Sequence, residues 1–410
     1  MPDPITWYAL GKEVSDPTSI DEEIDAKILL HNQDASAHGQ SSESLYNHRI
    51  SELLDHVAYS IYNIKTNPAA RIFKAIVSQG PEGDFTTLQA AIDWCNLYGG
   101  GVIFIKAGTY TLTSDITLYS NIKIEGEDED TAILDFATGE YQLKAIGTSG
   151  THKKNIEIRD VTIKRSGKYD GGALALTYCD DCVIENNLFT ANKNVYDEST
   201  RDIDLTHCQR ITIKGNRFES GSMCFAGSSS KYIWIKDNYV TSYTGDDFNF
   251  VSCDHVYFTG NLIKDCDNDD TTDAVVYSYT AINDSVFSNN VLIDVQQDAF
   301  RFEAGARITI SNNVIVGRAG GVFGIYAGDV NRIIITGNSI KSMGNSGIYL
   351  SNADRVVISG NGITDNGGFG VEISNAACND TLVVSNCLYN NTLGTTLDNG
   401  TGSLIDHNVS

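Results

Sequence analysis

An asparagine returns every 22 to 29 residues through the later part of this chain. The segments are IENN ending at Asn187, IKGN at Asn216, IKDN at Asn238, FTGN at Asn261 and FSNN at Asn290. They continue with ISNN at Asn313, ITGN at Asn338, ISGN at Asn361, VSN at Asn386 and IDHN at Asn408. A unit this short cannot bury a face alone, so it stacks on its neighbours as one coil of a solenoid. Each unit alternates apolar and polar residues, as in Ile211-Thr212-Ile213, and is rich in Val, Ile, Phe and Thr. That is strand chemistry, punctuated by the Gly and Asn that turns require. The pattern predicts an all-β chain: a right-handed, single-stranded parallel β-helix over residues 74–410. A mostly helical segment over 1–73 precedes it.

The recurring Asn has a physical cause. Its amide bonds the equivalent Asn in the coils above and below, and its side chain tolerates the left-handed backbone of a turn. Cys179, Cys208 and Cys253 each lie eight residues before a ladder Asn, so they share one column of the core. Nine Cys is an odd count, and Cys179 with Cys182 is the one close pair. Reduced, mostly buried thiols fit better than a disulfide framework or a zinc site.

Aligning on the ladder exposes the strand upstream of it. The matching tetrads are Ala173-Leu174-Ala175-Leu176, Asp202-Ile203-Asp204-Leu205, Asp247-Phe248-Asn249-Phe250, Ala299-Phe300-Arg301-Phe302 and Gly347-Ile348-Tyr349-Leu350. Apolar members point in, so polar members point out. Asp202 and Asp204 then share one strand, and Asp246 and Asp247 fall at the same column two coils on. Two coil rises of about 4.8 Å give roughly 9.6 Å, the upper edge of the span expected for inverting glycoside hydrolysis. Asp204, Asp246 and Asp247 are the candidate catalytic carboxylates.

Asp202, Tyr243, Asp273, Asp298, Arg301 and Glu303 are the candidate substrate-binding residues. Arg301 either clamps a sugar carboxylate or pairs with Glu303. Tyr326 and Tyr349 occupy equivalent columns in later coils. Lengthened units place Lys168, Tyr169, Asp170, Tyr196, Asp197 and Glu198 where they would wall a groove. No metal site is assigned and no cofactor is required; Ca²⁺ held by the Asp cluster is the one ion the pattern admits.

Residues 74–126 add a second clue. Thr86 or Thr87 caps a helix with Leu88, Ala91, Ile92 and Trp94 or Cys95 on its apolar face. Such a helix would plug the open end of a solenoid and shield a strand edge. Gly99-Gly100-Gly101 ends it, and Val102-Ile103-Phe104-Ile105 begins the first coil. The stretch GPEGDFTTLQAAIDWCNLYGGGVIFIKAGTYTLTSDITLYSNIKIEGE resembles the β-helix domains of the pectate-lyase superfamily found in phage tailspikes. Gly-Asp-Asp at 245–247 is similar to the paired aspartates of polygalacturonase-type glycosidases. That family's Asn-Thr-Asp, Gly-His-Gly and Arg-Ile-Lys elements are not found here. LLHNQDASAHG resembles a linker of phage tail-fibre proteins; its His31 and His38 belong to a turn or to a metal site. Ile50, Leu54, Val57, Ile61 and Ile64 form a heptad seam, read as a short coiled coil or as a helix packed on the β-helix. If chains associate, the tailspike resemblance implies a homotrimer, with phage tail or virion components as partners.

Charge narrows the partners. With 53 acidic and 29 basic residues the formal net charge is −24, which disfavours nucleic acid and anionic membrane. No apolar run is long enough to span a bilayer, and the N-terminus lacks a secretory pattern. A virion-associated or extracellular location through cell lysis is the expectation. Three functions remain open: hydrolysis of a bacterial surface polysaccharide, lyase or C5-epimerase action on a uronic-acid polymer, and non-catalytic carbohydrate binding. The alginate-epimerase Asp-Pro-His motif is missing, which counts against an epimerase.

Overall fold

The computed structural model describes residues 74–136, 141–165, 171–191, 200–243, 245–266, 274–318 and 322–410. It also describes two short antiparallel strands, Trp7–Ala9 and Lys12–Val14. The heptad seam and His31 and His38 lie outside the described residues. The chain divides into two compact units, Met1–Phe104 and Ile105–Ser410. In the first, the helix Leu88–Leu97 buries Leu88, Ala91, Ile92 and Cys95, as its spacing predicts. Thr87 is its N-cap residue but makes no side-chain capping bond, so Thr supplies only the extended backbone there. Gly99 and Gly100 follow at positive φ and stop the helix.

The second unit is a parallel solenoid. A representative coil has a leading strand Thr200–Thr206, a middle strand Gln209–Lys214 and a closing strand Arg217–Gly221. The next coil repeats it as Met223–Ser228, Lys231–Lys236 and Tyr239–Tyr243. All pairings between these coils are parallel and in register. Twelve closing strands, from Gly108–Thr111 to Cys387–Tyr389, form one sheet in chain order. Phe225, Phe248, Phe250, Phe258, Phe287, Phe300 and Phe302 fill the interior, fully buried. Each contributes about 1.5–3 kcal/mol of hydrophobic stabilisation.

The asparagine ladder forms along its whole predicted length. Asn187 Nδ2 donates to Asn216 Oδ1 at 3.0 Å, and each ladder Asn up to Asn386, which donates to Asn408, does the same. The same Oδ1 also accepts the backbone N–H of the Asn below, as Asn216 Oδ1 does from Asn187 at 3.0 Å. The backbone expectation needs correcting. The left-handed residue is the one before each ladder Asn: Asn186, Gly215, Asp237, Gly260, Asn289, Asn312, Gly337, Gly360, Ser385 and His407. This shift frees the ladder side chain to point inward. At Gly260, with φ of +71°, an added Cβ would lie 2.5 Å from Asp237 Oδ1. Gly260→Ala is therefore expected to cost about 1–2 kcal/mol, whereas Asn289→Gly changes stability by a few tenths. Equal losses in urea melts of the two variants would refute this asymmetry.

The cysteine column also forms. Cys179, Cys208 and Cys253 are buried, with Ser230 filling the place between the last two and bonding the Cys208 N–H at 2.9 Å. All nine cysteines are free thiols, and only Cys387 is exposed.

Candidate functional site

Cross-strand register decides which side chains share an outward column. Asp204 pairs with Ala175 below and Ala226 above. The column continues through Asn249, Tyr277, Arg301, Tyr326, Tyr349 and Glu372. Successive coils thus hand one residue each to a single half-buried, outward-facing row. From Arg301 to Tyr349 that row is a stack of planar groups. The Arg301 guanidinium lies 4.1 Å from the centre of the Tyr326 ring, and Tyr326 and Tyr349 stack at 5.4 Å. Phe323 packs beside Tyr349 at 4.5 Å, and Tyr279 meets Tyr277 edge-on at 6.1 Å. Tyr279 is 65 % exposed and offers a free ring face.

Arg301 anchors the electrostatics. Its Nη1 donates to Asp298 Oδ2 at 2.8 Å and its Nε to Glu303 Oε1 at 2.7 Å, with Nη2 in ion-pair contact with the same Oε1 at 2.6 Å. Asp298 also accepts the Phe323 N–H at 2.8 Å. Burial outweighs these partners and pushes the Asp298 carboxyl up to about 6. Glu303 is the more accessible acid, with 29 % of its side chain exposed against 3 % for Asp298. Burial raises the phenols of Tyr277, to about 12, and Tyr326, with Glu303 adding to both. They remain O–H donors at any physiological pH. Asp246 sits two coils below Asp298 in the same column, with Ala274 between them. It accepts from Asn249 Nδ2 and from the Ala274 N–H, each at 2.9 Å.

The predicted acid stripe therefore separates into two groups. Arg301 and Glu303 come together half-buried on the outer face, with Asp298 buried behind them and Asp246, also buried, two coils below it. Asp202, Asp247 and Tyr243 do not point outward; all three are buried. Asp202 and Asp247 occupy a corner column shared with Ala173, Cys224, Val275 and Ala299, where the strand bends and two successive residues turn inward. The Tyr243 hydroxyl donates to Asp202 in the interior, and the ring fills the space a side chain at Gly221 would need. Nor do Asp204 and Asp247 share a column; the residue two coils above Asp204 is Asn249. Asp204 instead pairs with Arg201 at 2.8 Å. As placed, neither Asp202 nor Asp247 can touch a polymer.

Burial pushes Asp202 up to about 7, against the Tyr243 hydrogen bond and Arg165. It pushes Asp247 up to about 8, with the Cys266 thiol opposing and Asp246 adding to the rise. Neither Asp247 oxygen meets hydrogen-bond geometry with a partner among the described residues. Asp273, Lys168, Tyr169, Asp170, Tyr196, Asp197 and Glu198 lie outside the described residues. Among those described, no group of three or more His, Cys, Asp or Glu is arranged to hold a metal ion. Tyr277 and Tyr279 went unpredicted, although V-V-Y-S-Y-T ahead of Asn290 carries the same alternation as its neighbours.

Comparison with known proteins agrees with this architecture. Residues 145–297 match the family described as right handed beta helix region, and residues 242–408 match the family described as periplasmic copper-binding protein (NosD). No curated protein matches the chain. Among solved structures, the chain is similar to the A-module of mannuronan C-5 epimerase AlgE4 from Azotobacter vinelandii. The identity is 16%, with 78% of this chain and 94% of that one covered, at a TM-score of 0.59. It is similar to PfbA, a surface adhesin of Streptococcus pneumoniae, with 16% identity, 70% and 87% coverage and a TM-score of 0.56. It is also similar to the DFA-IIIase of Arthrobacter chlorophenolicus A6, with 12% identity, 76% and 93% coverage and a TM-score of 0.56. At such identities the shared property is the winding of the backbone. With coils in parallel register, an unbroken asparagine ladder and these matches, the chain is a right-handed parallel β-helix protein.

Proposed function

We propose that this chain binds a polysaccharide across its coils and cleaves glycosidic bonds by carboxylate-catalysed hydrolysis. The observation that carries this reading is the Tyr277–Arg301–Tyr326–Tyr349 row with Asp298 and Glu303 held on its cation. Phenols one coil apart at Tyr326 and Tyr349, and two coils apart at Tyr277 and Tyr326, suit a ligand that presents hydroxyls at a regular repeat. The Tyr279 ring supplies an apolar face for a sugar. Glu303, with 29 % of its side chain exposed, is the carboxylate that can reach a bound polymer and takes the proton-transfer role, while Asp298, 2 % exposed, holds Arg301 in place behind it. The fold is shared with a mannuronan epimerase, which supports carbohydrate chemistry in general, and with a surface adhesin, which keeps binding alone as the rival. Copper binding, named for the family matched by residues 242–408, is not proposed. Among the described residues no three donors converge, and Cys253, Cys266 and Cys378 are each buried. A homotrimer attached to a phage tail or virion belongs to the same reading, and sedimentation of the full chain reads its oligomeric state.

The test is product analysis on a polysaccharide panel. New reducing ends without the ultraviolet absorbance of an unsaturated sugar are expected. Glu303→Gln is expected to lower turnover by about 10²–10⁴-fold with little change in the thermal melt. An unsaturated product would mark a lyase, and tight binding without product an adhesin. Either would overturn hydrolysis.

A further inference from the structure

We infer that the polymer engaged by the Tyr277–Tyr349 row is uncharged, an inference that rests on the function proposed above. The row Asn249, Tyr277, Arg301, Tyr326, Tyr349 and Glu372 contains one cation, Arg301. That cation is already committed. Its Nη1 and Nε donate to Asp298 and Glu303 at 2.8 and 2.7 Å, its Nη2 lies 2.6 Å from Glu303 Oε1, and its face lies on Tyr326 at 4.1 Å. A sugar carboxylate would need a guanidinium edge with two parallel donors. Glu303 fills the Nε edge and Asp298 holds Nη1, so such a group would compete with two bound carboxylates for the same cation. Around the row stand Asp298, Glu303, Asp246 and Glu372, the last bonded to Ser346 Oγ at 2.6 Å. Four carboxylates against one guanidinium give a field that opposes an anionic chain, and the net charge of −24 extends that opposition over the molecule. What the row does offer is neutral. The Tyr277 and Tyr326 phenols stay protonated because burial and Glu303 both disfavour the phenolate. Hydroxyl-to-hydroxyl bonding needs no counterion, and its strength changes little with salt.

The experiment is affinity electrophoresis of the full chain through gels holding dextran, galactomannan or a mixed-linkage glucan. Parallel gels hold polygalacturonate or alginate, each at low and high salt. Retardation by at least one neutral polymer is expected, changing less than 2-fold with salt, with no retardation by the polyuronates. Tyr326→Phe keeps the ring stack and removes one hydroxyl; it is expected to weaken neutral-polymer binding about 3- to 10-fold with an unchanged melt. Tighter, salt-sensitive retardation by a polyuronate, lost in Arg301→Gln, would overturn the inference and leave the carbohydrate reading standing. Retardation by neither class would overturn both.

Discussion

Asn290→Ala is expected to destabilise the solenoid by about 3–6 kcal/mol, the largest single loss we foresee outside the phenylalanine core. The Asn290 side chain is fully buried and serves four partners. Its Oδ1 accepts the backbone N–H and the Nδ2 of Asn261, both at 3.0 Å. Its Nδ2 donates to Phe258 O at 3.0 Å and to Asn313 Oδ1 at 2.9 Å. Truncation leaves these groups buried with no water to replace the lost bonds, at about 1–3 kcal/mol each before relaxation. Asn290→Asp keeps the acceptor but loses the donor and places a carboxylate against Asn313 Oδ1, so it is no rescue. At the last rung, Asn408 is less buried and accepts from Asn386. Asn408→Ala is expected to lose only about 1 kcal/mol. Urea melts of the two variants make the comparison, and similar small losses in both would mean that the ladder is not what holds the coils.

The second large effect concerns pH. Asp247, Asp202 and Asp298 hold their protons to about 8, 7 and 6 in the fold. An unfolded aspartate titrates near 4. Between that value and the folded values the native state carries more protons than the unfolded one, so stability falls as pH rises through this window. These three groups favour the fold most below about pH 4 and oppose it most above about pH 8. Asp247→Asn replaces the most strongly raised of them with a neutral isostere. The variant is expected to match the parent near pH 4 and to exceed its stability at pH 9 by up to about 5 kcal/mol. Exposed pairs such as Arg210 with Asp181 push the other way on acidification, so the informative quantity is the variant minus the parent. Stability curves that run parallel across the range would show that the Asp247 carboxyl is charged in the fold.

The fold was legible because its two signals are local and repeated. Asparagines at coil spacing and alternating β-branched residues each recur ten times over, so no single exception misleads. The left-handed turn was misplaced by one residue because Asn occurs at both positions, as in Asn186-Asn187 and Asn289-Asn290. The outer row was only half legible. Counting back twelve residues from Asn216, Asn261, Asn313, Asn338 and Asn361 lands on Asp204, Asn249, Arg301, Tyr326 and Tyr349. That count separates Asp204 from Asp247. It fails by one at Tyr277, where the strand shifts register between Ser278 and Ala281. Alternation also fails at the corner. Asp202 and Asp204 stand two apart, which in a straight strand means the same side. The bend at Asp202-Ile203 turns both inward, and nothing in the tetrad announces it. A buried acid among Ala, Cys and Val equivalents is visible only once the column is known.

Every interstrand bond in the solenoid joins a coil to its immediate neighbours. A whole winding gained or lost between two ladder asparagines would therefore leave the seams above and below it intact. Length can drift in steps of one winding, and each step adds or removes one seat on the outer face without disturbing the rest. Descendants of such a chain would be expected to diverge first in how many monomers they grip, and only later in how they grip each one.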